Sequence, residues 1–188
     1  MKSRWYKDIF RNLYRIRNLE NIKTFYDIGA NVGAFSVYVR CLFPFSKIIA
    51  IEPINNPTLK ANSKIFDFKI IEAVIGNGKD VFLEESSRSL DNRFLDNESP
   101  NCTKKFKSHR LADFIPEQSI NSYMIKIDIE GAEKHLINDP TSEKILFNAR
   151  QVSMEVHFGK KFNIDWQIYD NWIRKLFIVH NILYYKSR

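Results

Sequence analysis

The chain has 188 residues, is 44% hydrophobic and 14% aromatic, and carries a formal charge of +7, values that fit one globular domain and exclude a disordered or collagen-like chain. No stretch approaches the roughly 18–20 apolar residues that cross a bilayer. The start, charged from Lys2, has no apolar signal core, and Cys41 and Cys102 have neither metal-ligand spacing nor the numbers of a disulfide framework, so the expectation is a reduced, cytoplasmic protein.

The charge is uneven: the first 23 residues hold seven bases against Asp8 and Glu20, a net +5, leaving +2 for the rest. Residues 4–18 have the period of an amphipathic helix, with Trp5, Ile9, Phe10, Leu13 and Ile16 on one stripe. Residues 1–20 are therefore read as a basic helix packed on a domain over 21–188. An acidic lipid surface or a nucleic acid is the other use for such a stripe. Nucleic-acid enzymes spread bases over a binding face, so nucleic acid is not favoured as partner.

Thr24–Ile28 reads as a strand entering a glycine-rich turn, 33–43 as a helix, Lys47–Ile51 as a second strand, and Thr58–Phe66 as a helix. Lys69–Val74 is a third strand, and Gly76-Asn77-Gly78 turns the chain into Asp80–Leu83. Residues 84–105 are polar and read as a surface loop or lid. Leu111–Phe114 starts a short helix, Tyr123–Ile129 is a strand of buried type, Gly131–Asn138 is helical, and Gln151–Phe158 is a strand. A helix over 165–177 leads to a last strand at Ile178–Tyr185. This alternation predicts an α/β fold, a mostly parallel twisted sheet with helices on both faces. Ligands bind such sheets at the carboxyl ends of strands, near the topological switch point.

The first strand runs into Asp27-Ile28-Gly29-Ala30-Asn31-Val32-Gly33, and Glu52 closes the second strand. Glycine lets a backbone turn and approach a ligand closely, and an acidic residue at the second strand end grips ribose hydroxyls in nucleotide-binding βαβ units. A dinucleotide fits less well. The spacing is Gly-x-x-x-Gly, and Asp27 would repel a pyrophosphate seated at the helix N-terminus. S-adenosylmethionine, with an ammonium, a sulfonium and a ribose diol but no phosphate, suits the acidic surroundings.

With these residues in view, the chain resembles the FkbM-type methyltransferases, a class I S-adenosylmethionine-dependent family. The matching segments are Asp27–Gly33, Ile51-Glu52-Pro53, Glu72-Ala73-Val74-Ile75-Gly76, Ile125-Lys126-Ile127-Asp128-Ile129-Glu130-Gly131-Ala132-Glu133 and Met154-Glu155-Val156-His157. The resemblance implies a Rossmann-like class I methyltransferase fold and methyl transfer to a hydroxyl of a glycan or small-molecule natural product. It implies that Asp27, Gly29, Ala30, Asn31 and Gly33 line the methionine end, that Glu52 with Pro53 holds the ribose, that Ala73 lies near adenine, and that Asp128 adjoins the cofactor. The chain is short after Phe158 and lacks the full closing hairpin, so the fold is expected to be abbreviated at its C-terminus. With a brief amino-terminal extension as well, acceptor choice would rest on the 84–105 loop, a partner or a larger parent.

The strand around Lys126 departs from a plain apolar run. By strand alternation Lys126, Asp128 and Glu130 share one face and Ile125, Ile127 and Ile129 the other. Glu155 and His157 alternate with Met154, Val156 and Phe158 in the same way. Buried charges must be paired or used. Two parallel neighbours would bring these side chains together beside the cofactor crevice. His157, with a reference pKa of ~6.5, is the first choice as general base, and Asp128 or Glu130 is the alternative. The same three would suit a divalent metal, but no metal is assigned. Glu133 reads equally as a charge at a helix terminus. His109, His135 and His180 lack such context. The expected activity is O-methyl transfer to a glycan or small-molecule hydroxyl. RNA methylation and a non-catalytic cofactor-binding module are the competing readings.

Overall fold

The computed structural model describes residues 22–54, 56–85, 92–116, 122–137, 139–157 and 183–186, together with Gln167, Tyr169, Asp170 and Trp172. The expected amino-terminal helix, His180 and most of the 165–177 helix lie outside the described residues, though Tyr169 and Trp172 are helical and buried.

Six strands form the main sheet: β1 (Thr24–Ile28), β2 (Lys47–Ile51), β3 (Lys69–Ile71), β8 (Tyr123–Ile127), β9 (Gln151–Val156) and β10 (Leu183–Lys186). Their order is β10-β9-β8-β1-β2-β3, and every pairing is parallel. This is the doubly wound arrangement, with its switch point between β1 and β8. β1 and β8 are buried at every position, which is why Thr-Phe-Tyr-Asp-Ile and Tyr-Met-Ile-Lys-Ile read as near-continuous apolar runs.

Alternation along the strands sorts the core into two layers. Phe25, Ile48, Ala50 and Met124 face α1 (Ala34–Leu42) and α2 (Pro57–Phe66), meeting Phe35, Val39 and Leu59. Tyr26, Ile28, Ile125, Ile127 and Met154 face α3 (Lys134–Ile137) and α4 (Pro140–Asn148), meeting Leu136, Ile145 and Leu146. Both sheet faces are covered by helices, as expected.

Several boundaries move. The expected third strand breaks after Ile71, and Val74–Ile75 (β4) joins a different sheet. That second sheet has the order β4-β7-β5-β6, built with β5 (Asp80–Glu84), β6 (Arg93–Leu95) and β7 (Cys102–His109). The stretch expected as a loop at 84–105 therefore holds β6 and the start of β7, which pair antiparallel with β5 and not with each other. Alternation is weak there because charged side chains do the covering: Phe94 meets Phe106 edge-on at 5.3 Å and the Lys104 ammonium lies 4.7 Å from the Phe106 ring.

Helix α4 was not expected, although its start is written in the sequence. Asp139 accepts hydrogen bonds from the Ser142 backbone N–H and hydroxyl at 3.2 and 2.7 Å, and Pro140 fills the first turn, the usual N-terminal signals. The helix expected over Gly131–Asn138 is confined to Lys134–Ile137, because Glu130 and Gly131 turn with φ of 53° and 97°.

Candidate active site

Parallel strands deliver the site residues to one edge. Gly29 directly follows β1, Glu52 follows β2, Asp128 follows β8 and His157 follows β9. Ala73, buried, comes two positions after β3.

The turn after β1 is held from beneath. The N–H groups of Gly29 and Ala30 donate to the Ile51 carbonyl at 2.9 and 3.2 Å. Gly29 has a φ of 72° and packs so closely that a Cβ there would stand 1.7 Å from the Asp128 carbonyl oxygen. Gly33, with a φ of 76°, caps α1, and a Cβ there would press on Leu59 and Phe68. Asn31 (φ 50°) donates its N–H to Glu52 Oε2 at 2.8 Å, and Ile54 N–H donates to Glu52 Oε1 at 3.0 Å. Glu52 thus ties the first turn to the second, with Pro53 half-buried beside it. Burial raises the Glu52 carboxyl above its ordinary range, against the opposing pull of those two N–H donors.

Asp27 does not open into the turn. Its carboxylate is fully buried, accepting from the Ser36 backbone N–H at 3.2 Å and hydroxyl at 2.7 Å. Its other oxygen lies 3.4 Å from Lys126 Nζ, directly across the β1–β8 register. The Lys126 ammonium also donates to the Gly29 carbonyl at 2.7 Å and stands 3.8 Å from Asp128. This buried lysine neutralises Asp27 and pins the turn to β8.

Beyond β8 a cluster surrounds His157. Nδ1 lies 3.1 Å from Glu133 Oε1. Nε2 faces Glu130 at 3.5 Å, Glu155 at 3.8 Å and Asp128 at 4.0 Å. Glu133 is fully buried and also accepts the N–H groups of Ile129 and Gly131, each at 3.0 Å. His157 therefore points at the strand edge and not into a helix-packed core. Asp128 and Glu130 reach it differently from the expected alternation. β8 ends at Ile127, and the positive φ of Glu130 swings its side chain back.

Burial pulls the His157 imidazole towards its neutral form. The hydrogen bond and charge of Glu133, with the charges of Glu130 and Asp128, outweigh this and push it up to about 9. Burial raises Glu130 to about 7 despite His157, and burial followed by the Asp128 charge raises Glu155 to about 7. One imidazole stands among four carboxylates, an excess of negative charge that favours a cation. Asp128, Glu130 and His157 also offer ligand atoms that all lie within 4.8 Å of one another.

The model of the Methyltransferase FkbM domain matches residues 27–181, a span that runs from the end of β1 through β9. The chain belongs to this family. Methyltransferase sdnD of Sordaria araneosa is 25% identical over 177 residues, covering 73% of this chain and 68% of the relative. A crystal structure of Methyltransferase FkbM from Methylobacillus flagellatus matches at 12% identity and a TM-score of 0.49, covering 86% of this chain and 38% of that one. The StiE O-MT matches at 11% identity and a TM-score of 0.36, over 76% of this chain and 38% of that one. The chain therefore spans under half the length of these solved relatives.

Within this FkbM domain, the expected turn residues Gly29, Ala30, Asn31 and Gly33 stand together with Glu52, and Asp128, Glu130 and His157 form one cluster. Three residues gain a role that reading the sequence missed. Ser36 holds Asp27, Glu133 holds His157, and Lys126 locks the turn, where the sequence left Glu133 open between a site residue and a helix-end charge and placed Lys126 only on a face with Asp128 and Glu130. Alternation offered no signal for Glu133 because it lies in a turn, four residues from one of its donors.

Proposed function

We propose that this FkbM domain is an S-adenosylmethionine-dependent O-methyltransferase acting on a hydroxyl of a glycan or small-molecule acceptor. One observation carries the reading: the Gly29–Gly33 turn with Glu52 and the His157 cluster follow adjacent parallel strands and share one edge. The donor set suits the cofactor. Glu52 offers a buried carboxylate for a ribose diol, and Asp128, Glu130 and Glu155 present negative charge to a sulfonium, while the Lys126 ammonium beside the turn is engaged by Asp27 and the Gly29 carbonyl.

When bound, the cofactor supplies an electrophilic methyl group. The Gly29–Gly33 backbone and Glu52 hold and orient it, and Asp128 adjoins it. His157 takes the proton of the acceptor hydroxyl at Nε2, while Glu133 fixes the ring through Nδ1 and stabilises the imidazolium. A base so placed contributes about 10²–10⁴-fold. The reactive form is the neutral imidazole, so the rate constant kcat/KM should rise with pH and level off above about 9. Cationic cofactor disfavours imidazolium and should move the kcat profile to lower pH. Both thiols, Cys41 and Cys102, are free, which suits the cytoplasm.

The test is methyl transfer from isotope-labelled cofactor to a panel of hydroxylated glycans and small molecules, followed by mass spectrometry. A labelled methyl ether that falls by about 10²–10⁴-fold in His157→Ala, with cofactor affinity nearly unchanged, is expected. Label on nitrogen, or undiminished turnover in the variant, contradicts the reading. The 4.8 Å cluster favours one second reading, a divalent metal at Asp128, Glu130 and His157. Chelation should leave turnover intact. Loss restored by added Mg²⁺ or Mn²⁺ would select the metal instead.

A further inference from the structure

The opposite edge of the sheet carries a second feature that the proposed chemistry does not use. Among the described residues, the exposed large hydrophobics are Leu42, Phe45 and Ile65, at 49, 100 and 71% exposure. All three stand where α1 and α2 return to the amino ends of the strands. Phe43 is tucked in, stacked on Phe25 at 5.2 Å, whereas Phe45, two residues on, is bare.

The presentation is rigid. The Arg40 guanidinium donates to four carbonyls, those of Pro44 at 2.6 Å, Ser46 and Phe66 at 2.9 Å and Asp67 at 2.5 Å. It thereby knits the Phe45 turn to the end of α2 beside Ile65. Ser46 closes the same turn, its N–H and hydroxyl donating to the Phe43 carbonyl at 3.1 and 2.8 Å. Around this tip Lys23, Lys47, Lys64 and Lys69 are all exposed. Asp67 is the single acid among residues 40–47 and 64–69.

We infer that this edge docks on an anionic lipid surface, with Phe45, Leu42 and Ile65 entering the interface and the lysines meeting headgroups. Charge selects this occupant. A second copy would bring lysines against lysines, and the protein's own amino-terminal segment carries six bases to two acids before Ile22, so it too would be repelled. Leu42 and Ile65 offer a nucleic acid nothing to stack on, whereas hydrocarbon accepts them as readily as it accepts Phe45. The chain enters the sheet at this same edge through Ile22 and Lys23, and the bases that precede them in sequence are of the required sign. The five-residue strands place the candidate active site roughly 17 Å away, at the far edge, so docking localises the domain and leaves the site open to an acceptor from solution.

The full chain should co-sediment with vesicles of phosphatidylcholine containing about one-third phosphatidylserine, not with phosphatidylcholine alone, and should release as salt is raised. Phe45→Ser should weaken partitioning about tenfold, and Lys47→Glu with Lys69→Glu should weaken it by at least as much. Both leave the melting temperature and cofactor affinity unchanged, because every altered side chain is exposed and far from the site. Leu42→Ser provides a second reading of the same contact. Three results would overturn the inference: no binding to either vesicle, binding that these substitutions leave unaltered, or a dimer in ultracentrifugation that Phe45→Ser dissolves without affecting vesicles.

Discussion

Gly29 has no room for a side chain, because its φ of 72° and the Asp128 carbonyl 1.7 Å from a would-be Cβ both forbid one. Gly29→Ala should cost roughly 1–3 kcal/mol from the backbone alone, and more as the turn is forced off β8. Thermal melts and calorimetry should show both a lower melting temperature and lost cofactor affinity. His157 is legible from its position after a strand, but its partner Glu133 is not, because a folded turn and not a repeat brings them together. Glu133→Gln removes the charge that holds the imidazole up near 9. The pH profile of turnover should move to lower pH and the maximal rate fall, while cofactor affinity holds. A merely structural Glu133 would lower stability without moving the profile. The linkage runs the same way for folding. With a folded value above its reference of ~6.5, His157 contributes stability that is complete below that value and is lost as pH rises through about 9. His157→Gln should flatten the decline of melting temperature across this window.

At the scale of elements, β1 and β8 were legible because both faces are buried and the sequence runs apolar. The exceptions on those strands, Asp27 and Lys126, sit across from each other in register and mark where the turn is fastened. Removing one partner of a buried pair leaves a naked charge, so Lys126→Met should destabilise by about 3–5 kcal/mol. Adding Asp27→Asn should recover part of the loss, and denaturant melts of the single and double variants measure the coupling. Helix α4 is not legible from periodicity because its apolar face is short, although Asp139 and Pro140 mark its start. Asp139→Ala should cost about 1 kcal/mol in the same melts. The small sheet is legible only at Asp80–Leu83, because β7 mixes lysine with phenylalanine and β6 is short, and pairing to β5, not periodicity, makes both of them strands.

For the whole molecule, alternation of strand and helix conveyed the doubly wound sheet, and the spacing of turn and acidic residue conveyed which edge would bear the site. What could not be read was how the edge is assembled, since β1, β8 and β9 are adjacent in space but separated by about a hundred residues of chain between Gly29 and Asp128. The central claim is that this edge holds S-adenosylmethionine through the Gly29–Gly33 turn and Glu52. Titration calorimetry of the cofactor and its demethylated product into the wild type and Glu52→Ala tests it most directly. Charge-assisted hydrogen bonds to the ribose are worth roughly 1.5–3 kcal/mol, so both ligands should bind the wild type and lose about 10–100-fold in the variant with the fold intact. No heat of binding in the wild type, or equal affinity in the two proteins, would contradict the account.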